Sequence, residues 1–235
     1  MLLNSARLVH VMDTSVKDIA SVLKKFVDQP DGRDKALALV QYMSMFMAGD
    51  SPGRSANILA SVGKARKVFR LGRPLDTLTP LALAPSSPRA SGLQNVLSKS
   101  KVLLLALYFG GDNVVWACQT GLIEDADLAR KSGEFSMWCW FFSQLCILID
   151  EGVEIVKAGD ASKAGEELKA MTQQFQKKRF VIVQASTTAT LALALLGKGG
   201  LSKKSIGLIG CFSAGLNLWT MLPPFPHRPT NGRSA

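Results

Sequence analysis

Two uncharged stretches near the carboxyl end decide the fold: residues 180–197 read FVIVQASTTATLALALLG, and residues 205–222 read SIGLIGCFSAGLNLWTML. The surrounding segment, residues 168–235, contains nine lysines and arginines but no aspartate or glutamate. Each stretch makes about 27 Å of helix, close to the ~30 Å hydrocarbon core of a bilayer. Because cations beside apolar runs are attracted by anionic head groups, we predict a transmembrane helical hairpin over residues 180–223. The alternative is a buried hairpin in a water-soluble protein.

Small residues recur along both stretches at a spacing of four. Ala185 and Ala189 form such a pair in the first stretch, and Gly210 and Ala214 form one in the second. Small side chains at this spacing allow helices to approach each other closely in lipid. We therefore expect these four residues to provide the packing contacts of the transmembrane hairpin.

The chain as a whole is strongly basic. Its 235 residues are 47% hydrophobic and carry a formal charge of +10, and residues 51–75 contain cations but no acid. This asymmetry indicates an anionic partner, either a nucleic acid or a membrane surface. Aromatic residues do not alternate with the basic ones as they do in binders of single-stranded nucleic acid. We predict an anionic lipid membrane as the partner, and no nucleic acid.

Apolar residues recur at helical spacing over most of the chain, which predicts an all-α fold. The expected architecture is a membrane-associated helical bundle with amphipathic helices and a C-terminal transmembrane helical hairpin. Composition divides the chain into five predicted regions: an N-terminal amphipathic helical region (1–76), a Pro/Ser-rich linker (77–92), an apolar or interfacial helical region (93–179), the transmembrane hairpin (180–223) and a tail (224–235).

Two segments of the third region are weaker candidates for crossing a membrane. Residues 135–149 supply only a short uncharged run, and residues 102–123 would place Asp112 in the hydrocarbon. A buried aspartate costs about 2.5–3.5 kcal/mol on insertion scales. We therefore expect both segments to lie at the interface or to pack against protein.

A basic amphipathic helix is predicted over residues 57–71. On a helical wheel its apolar residues share one sector, and most of its cations lie opposite them, which is typical of a helix that binds at a membrane interface. The expected membrane-binding residues are Ile58, Leu59, Val62, Lys64, Arg66, Lys67, Phe69 and Arg70. The alternative is an ordinary helix packed on its neighbours with a solvated basic face.

The sequence offers almost no support for catalysis. The two histidines, His10 and His227, lack partners at metal-ligand spacing, and no phosphate-binding loop, nucleophile elbow or dinucleotide fingerprint is present. We predict that the protein is not an enzyme and that it binds no metal and no cofactor.

Four motifs in order resemble the peroxisomal membrane protein 11 family, also called peroxin-eleven, most closely its plant and algal branch. The similarity extends over nearly the whole chain. Its motifs are Gly32-Arg33-Asp34-Lys35 leading to Gln41-Tyr42, Ala65-Arg66-Lys67-Val68-Phe69-Arg70-Leu71, Asp112-Asn113-Val114-Val115-Trp116 leading to Gly121-Leu122, and the segment from Gly207 to Pro223.

The resemblance implies an integral protein of the peroxisomal membrane that elongates the organelle and promotes its fission and proliferation. Members of this family insert an amphipathic helix to curve the membrane, self-associate as homo-oligomers, and assist the dynamin-type fission machinery and its adaptor. Here that helix falls on residues 65–71. The family has also been linked to solute permeation, so an oligomeric channel for small metabolites, with Asp112 in its path, is the alternative function.

Overall fold

The computed structural model describes residues 17–83, 92–163 and 168–222, although the side chains of residues 82–83 and 158–177 are not described. These ranges contain eight helices and no strand, which confirms the predicted all-α class. The helices are α1 (residues 17–28), α2 (Pro30–Ala48), α3 (Arg54–Val68), α4 (Arg73–Leu83), α5 (Gly92–Gln119), α6 (Ala126–Lys163), α7 (Leu168–Leu195) and α8 (Lys203–Met221).

Local sequence explains where two of these helices begin and end. Pro30 occupies the first turn of α2, where its missing N–H is not needed. Gly49 ends α2 with a positive φ of 54° and donates its N–H to the carbonyl of Met45. At the start of α8, Ser202 accepts a hydrogen bond from the N–H of Ser205 at 3.2 Å, which satisfies one of the free donors of the first turn.

Four contacts between helices build the bundle. α5 packs against α6, α6 packs against α7, α7 packs against α8, and α2 packs against α8. Close approach of α2 and α8 depends on two glycines, because a Cβ on Gly207 would lie 2.5 Å from the backbone nitrogen of Phe46, and one on Gly210 would lie 2.2 Å from the ring of Tyr42. α3 lies on α2, and α4 lies along α5.

The helix α4 includes residues 77–83, which we predicted as part of a linker. Pro80 lies inside this helix, and its missing N–H removes one backbone hydrogen bond. Thr79 donates its side-chain hydroxyl to the carbonyl of Leu75, and the helix packs along α5, which stabilises it despite the proline. Residues 84–91 of the predicted linker and the tail 224–235 lie outside the described residues.

Only one helix in the described part of the chain, α5, is long and apolar enough to cross a membrane by length and composition. Of its most apolar 18-residue window, 22% is buried within the protein. The prediction of a transmembrane hairpin over residues 180–223 is therefore not confirmed, although both of its helices form as α7 and α8. The physical reason is the polar content of these helices: α7 includes Gln184, Thr187, Thr188 and Thr190, and threonine hydroxyls lower the mean hydropathy even though they bond to their own helix.

Candidate functional site

A cluster of buried charges joins α3 to its neighbours. Asp34 comes from α2, Arg66 from α3, Arg70 from the turn that follows α3, and Asp112 from α5. These four residues, here called the charge cluster, are 5–8% exposed. Lys67 of α3 reaches Asp112 from the edge of the cluster, with its Nζ 3.2 Å from Oδ1.

Arg70 is the centre of this cluster. Its Nε and Nη2 donate to the two carboxylate oxygens of Asp34 at 3.1 Å each, a two-pronged pair that matches the planar guanidinium to the planar carboxylate. Its Nη1 donates to Asp112 at 3.1 Å and to the hydroxyl of Tyr108 at 2.7 Å. A lysine could not reproduce this geometry, because its ammonium is a point charge without a fork.

Arg66 completes the coordination of Asp34. Its Nε donates to the Asp34 carboxylate at 3.0 Å, and its Nη1 donates to the side-chain oxygen of Gln41 at 2.6 Å. Burial alone would raise the pKa of the Asp34 carboxyl, but Arg70 and Arg66 outweigh that effect and hold the pKa well below its usual range. The two arginines therefore favour the ionised form of the Asp34 carboxyl.

The structure places the predicted membrane-binding residues in three groups, which are exposed, buried and partly buried. Ile58 and Phe69 are 46% and 40% exposed, and Lys64 is also exposed. Arg66 and Arg70 are buried in the charge cluster. In the described conformation they are therefore not part of an exposed basic surface. Partly buried positions belong to Leu59, Val62 and Lys67. Contact of this segment with lipid stays a prediction.

Asp34 and Asp112 were not predicted as partners of α3. A carboxylate in an apolar helix indicates a buried counter-ion, but the sequence does not say which of many cations it meets. One signal was present nevertheless: Asp34, Arg66, Arg70 and Asp112 lie in three of the four motifs that carry the family resemblance. In the structure these three motifs meet at one point.

The fourth motif lies in α8, whose small residues pack against α2 and α7. Ala185, Ala189, Gly210 and Ala214, the predicted packing residues, are all buried. Two polar contacts fix the register of α7 on α8: Gln184 donates to Asn217 at 2.9 Å, and the hydroxyls of Thr188 and Ser213 lie 3.1 Å apart. Whether this pair packs inside a bilayer stays a prediction.

Polar and charged side chains share the interior with an apolar core that includes Phe109 and Leu191, while many large apolar side chains lie on the surface. The interior holds the charge cluster together with Ser136, Ser143 and Thr188. Large apolar side chains are exposed on the outer faces of α2, α5 and α6, for example Met47 at 67%, Val96 at 62% and Phe135 at 50%. Paired charges at the centre of a helical bundle together with apolar groups that face outward are typical of a helical membrane protein.

Comparison with known proteins identifies the family within this class. The model of the peroxisomal biogenesis factor 11 (PEX11) family matches residues 20–222, and the chain belongs to this family. It is 26% identical to peroxisomal membrane protein 11C of Arabidopsis thaliana over 216 residues, which cover 86% of this chain and 91% of the relative. It is 25% identical to peroxisomal membrane protein 11-5 of Oryza sativa subsp. japonica over 226 residues, 90% of this chain and 96% of the relative.

A shorter match reaches the yeast Saccharomyces cerevisiae. Its peroxisomal membrane protein PMP27 is 32% identical over 124 residues, which cover 52% of each chain. No solved structure matches this chain. Family membership places the protein at the peroxisomal membrane and gives it a role in peroxisome proliferation and membrane biogenesis. Proteins of this family are membrane biogenesis factors and are not known enzymes.

The predictions about metals and histidines can be compared with the structure only over the described residues. His10 and His227 both lie outside the described residues. Within the described ranges no group of three or more histidine, cysteine or acidic side chains is arranged to hold a metal ion.

Proposed function

We propose that this protein elongates the peroxisomal membrane by inserting the apolar edge of α3 and the turn after it into one leaflet, and that it thereby promotes fission. The observation that carries the proposal is the exposure of Ile58 and Phe69, together with the exposure of the cation Lys64 in the same segment. An apolar edge of this kind enters the boundary between head groups and acyl chains to a depth of roughly 5–10 Å. It expands the leaflet that it enters and so favours convex curvature.

The charge cluster anchors the inserted segment, which is the apolar edge of α3 with the turn after it and is called the wedge below. Arg70 joins Asp34 of α2 to Asp112 of α5, so the inserted segment is tied to the one described helix that is long and apolar enough to span a membrane. Tethering of this kind makes insertion an intramolecular step and raises the local concentration of wedges. In this arrangement Arg66 and Arg70 hold the wedge in place, and Lys64 supplies the attraction to anionic lipid.

The test uses the full-length protein reconstituted into anionic vesicles that are imaged by electron microscopy. We expect the wild type to draw vesicles into tubules, and we expect the double variant Ile58→Ser with Phe69→Ser to lose most of this activity. Ala60→Ser, at an exposed position on the same helix, is the matched control and is expected to behave as wild type. Equal tubulation by the double variant and the wild type would refute the wedge.

Electrostatic attraction is tested separately with Lys64→Glu. A cation near an anionic leaflet contributes about 1 kcal/mol, so in the reconstituted protein the reversal weakens the affinity of α3 for the anionic leaflet by more than fivefold. Lys24→Glu, at a side chain that is 76% exposed on α1, is the control. An unchanged affinity of the Lys64 variant would exclude a role for this charge.

Self-association as a homo-oligomer is part of the proposal, and α6 supplies its supporting observation. An exposed apolar residue recurs every seven positions along this helix: Leu128, Phe135, Phe142, Ile149 and Val156. A repeat of seven keeps one seam facing a partner helix, as in a coiled coil. A second copy of the chain is the partner that such a seam fits.

Recruitment of the dynamin-type fission machinery and its adaptor is the last part of the proposal and is supported by family membership alone. Co-purification of the adaptor with the full-length protein from detergent-solubilised peroxisomes is the test. Absence of the adaptor from a preparation that retains the oligomer would count against recruitment.

A second candidate function is an oligomeric channel for small metabolites. One observation favours it, a cavity of about 560 Å³ at the centre of the bundle that polar side chains line in part. Asp112, which lines this cavity, pairs with Arg70 and Lys67. Conductance of the purified oligomer across a planar bilayer, with Asp112→Asn as the probe, tests this function, and a silent bilayer would remove it.

A further inference from the structure

The cavity at the centre of the bundle is the feature that the proposed wedge does not use. It lies where α2, α3, α5, α6, α7 and α8 meet, and its volume of about 560 Å³ is that of a small-molecule pocket. Ile58 and Phe69, the apolar edge of the wedge, are not among the residues that line it. Membrane curvature and occupancy of this cavity are therefore separable properties.

Positive charge exceeds negative charge around this cavity. Two carboxylates line it, those of Asp34 and Asp112, and both are already shared among the cations of the charge cluster. Five cationic side chains line it: Lys35, Arg66, Lys67, Arg70 and Arg73. Asp31 pairs with Arg73 from outside the lining and leaves an excess of two positive charges. Uncompensated charge at a partly enclosed site favours the binding of an anion.

Lys35 is the cation that lacks a partner. It lies on α2 next to Asp34, is partly buried, and makes no hydrogen bond or ion pair with any other part of the chain that the structure describes. Burial, together with repulsion from Arg70 and Arg66, lowers the pKa of its ammonium to about 8, against attraction from Asp34 and Asp31. An ammonium held in this way is stabilised by any anionic group that reaches it.

Away from the cations, apolar side chains make up the larger part of the lining, beside polar ones such as Gln144, Gln184 and Thr188. Leu105, Met137, Trp140 and Ile147 contribute side chains from α5 and α6, and Leu195 contributes one from α7. A cationic group beside apolar walls is complementary to a molecule that has an anionic head and an apolar chain. Neither a free inorganic anion nor a neutral lipid would use both parts of this surface.

We propose that this cavity binds an amphiphile with a single anionic head group, a carboxylate or a phosphate monoester, whose head contacts Lys35 and whose chain lies along Leu105, Met137 and Trp140. The shared chemistry is the anionic head on one apolar chain. A free acyl carboxylate and a lysophospholipid-type phosphate are its two possible sources.

Trp140 provides a readout that is local to the cavity. Full-length protein in nanodiscs of a zwitterionic phospholipid is titrated with three bromine-labelled probes of the same 12-carbon chain length: a carboxylate, a phosphate monoester and an alcohol. Bromine quenches nearby tryptophan fluorescence, and quenching that disappears in Trp140→Phe reports occupancy of the cavity rather than of the surrounding lipid. We expect at least one anionic probe to quench Trp140 at a concentration at least tenfold lower than the alcohol does.

The variants at position 35 decide whether the ammonium is responsible. Lys35→Met is expected to remove the tenfold preference for the anionic probe, Lys35→Arg is expected to retain it, and Lys24→Met, on the exposed surface of α1, is the matched control. Preference for the carboxylate assigns the head to a free acyl chain, and preference for the phosphate assigns it to a lipid head group. Equal quenching by all three probes, or an unchanged preference in Lys35→Met, would overturn the proposal.

Discussion

Arg70 and Asp34 face each other across the contact of α3 with α2, with two parallel hydrogen bonds of 3.1 Å between guanidinium and carboxylate. The side chains of both residues are 10% exposed, and Arg70 lies 36 positions after Asp34 in the chain. This pair closes the loop that contains α3.

Asp34→Asn removes the negative charge that two arginines share. Because it leaves Arg66 and Arg70 buried without full compensation, we expect a loss of about 3–5 kcal/mol in the free energy of unfolding. Urea titration of the detergent-solubilised protein at pH 7, followed by circular dichroism, measures this loss. Asp50→Asn is the control, because Asp50 pairs with Lys203 at an 80% exposed position, and it should cost less than about 1 kcal/mol.

The sign of the acid dependence follows from the lowered pKa of Asp34. The stabilisation is complete above about pH 4, where an unfolded aspartate is ionised, and it declines as the pH falls toward the folded-state pKa. Asp34→Asn should therefore show a smaller loss of stability between pH 4 and pH 2 than the wild type. An identical acid profile for the two proteins would contradict the assigned charge state.

Arg70→Lys preserves the positive charge but removes the planar guanidinium that donates two parallel hydrogen bonds to Asp34. A lysine cannot donate to Asp34, Asp112 and Tyr108 at once in this geometry, and each charge-assisted hydrogen bond that is lost costs about 1.5–3 kcal/mol. We expect faster hydrogen exchange of the amides of α3 and little change in α7. Arg130→Lys on the exposed face of α6 should leave both helices unchanged.

Gly207→Ala tests the close approach of α2 and α8. The added Cβ would lie 2.5 Å from a backbone nitrogen that cannot move aside, so we expect a destabilisation of at least about 1–3 kcal/mol. Gly215→Ala lies on the same helix with no atom within 4 Å of the new Cβ. Helix propensity alone should make that control more stable by up to about 1 kcal/mol, and thermal unfolding of the two variants should therefore move in opposite directions.

Lys35→Met should change the alkaline stability profile. In the wild type Lys35 has a folded-state pKa of about 8 and an unfolded pKa near 10.5, so the unfolded chain binds more protons between these values. The free energy of unfolding contributed by Lys35 therefore rises across this window, by at most ~1.4 kcal/mol per pH unit. The charged groups that influence it are Asp34, Arg70, Arg66 and Asp31. The difference between wild type and variant in denaturant titrations from pH 7.5 to 10 isolates this contribution, and a flat difference would contradict it.

Phe142→Arg places a charge in the middle of the seam on α6, the apolar stripe formed by the exposed residues that recur every seven positions. If a second copy covers the stripe, the oligomer should dissociate to a smaller species, because a buried unpaired arginine is costly. Mass photometry of the protein in nanodiscs or mild detergent measures the change. Leu122→Arg introduces the same charge at an exposed leucine outside the stripe and should leave the oligomer intact.

Helix positions were largely predictable from the sequence because apolar periodicity and caps are local signals. The helix predicted over residues 57–71 overlaps α3, and the two uncharged stretches overlap α7 and α8. The direction in which each helix faces was harder to predict. Val40, Met43 and Met47 are exposed on α2, whereas Asp34 and Tyr42 are buried, because in a membrane protein the apolar side of a helix does not have to face the core.

The charge cluster could be predicted only in part. Spacing put Arg66 and Arg70 on a basic helix, and Asp112 was recognised as costly in an apolar environment, but which cation meets which carboxylate depends on helix contacts between residues 32–42 positions apart. The predicted choice of spanning helices is not confirmed, for a related reason. Asp112 counted against α5 in the sequence, whereas Arg70 and Lys67 pair with it in the structure, and the uncharged stretches of α7 and α8 contain hydroxyl and amide side chains.

Because one guanidinium bonds to carboxylates on two different helices, α3 cannot rotate about its own axis without pulling on both. In the proposed insertion we therefore expect a lateral force on the side chains at positions 58 and 69 to be passed to α2 and α5 together. The four hydrogen bonds of Arg70, more than the short helix that meets the force, would then set how stiffly the three helices respond.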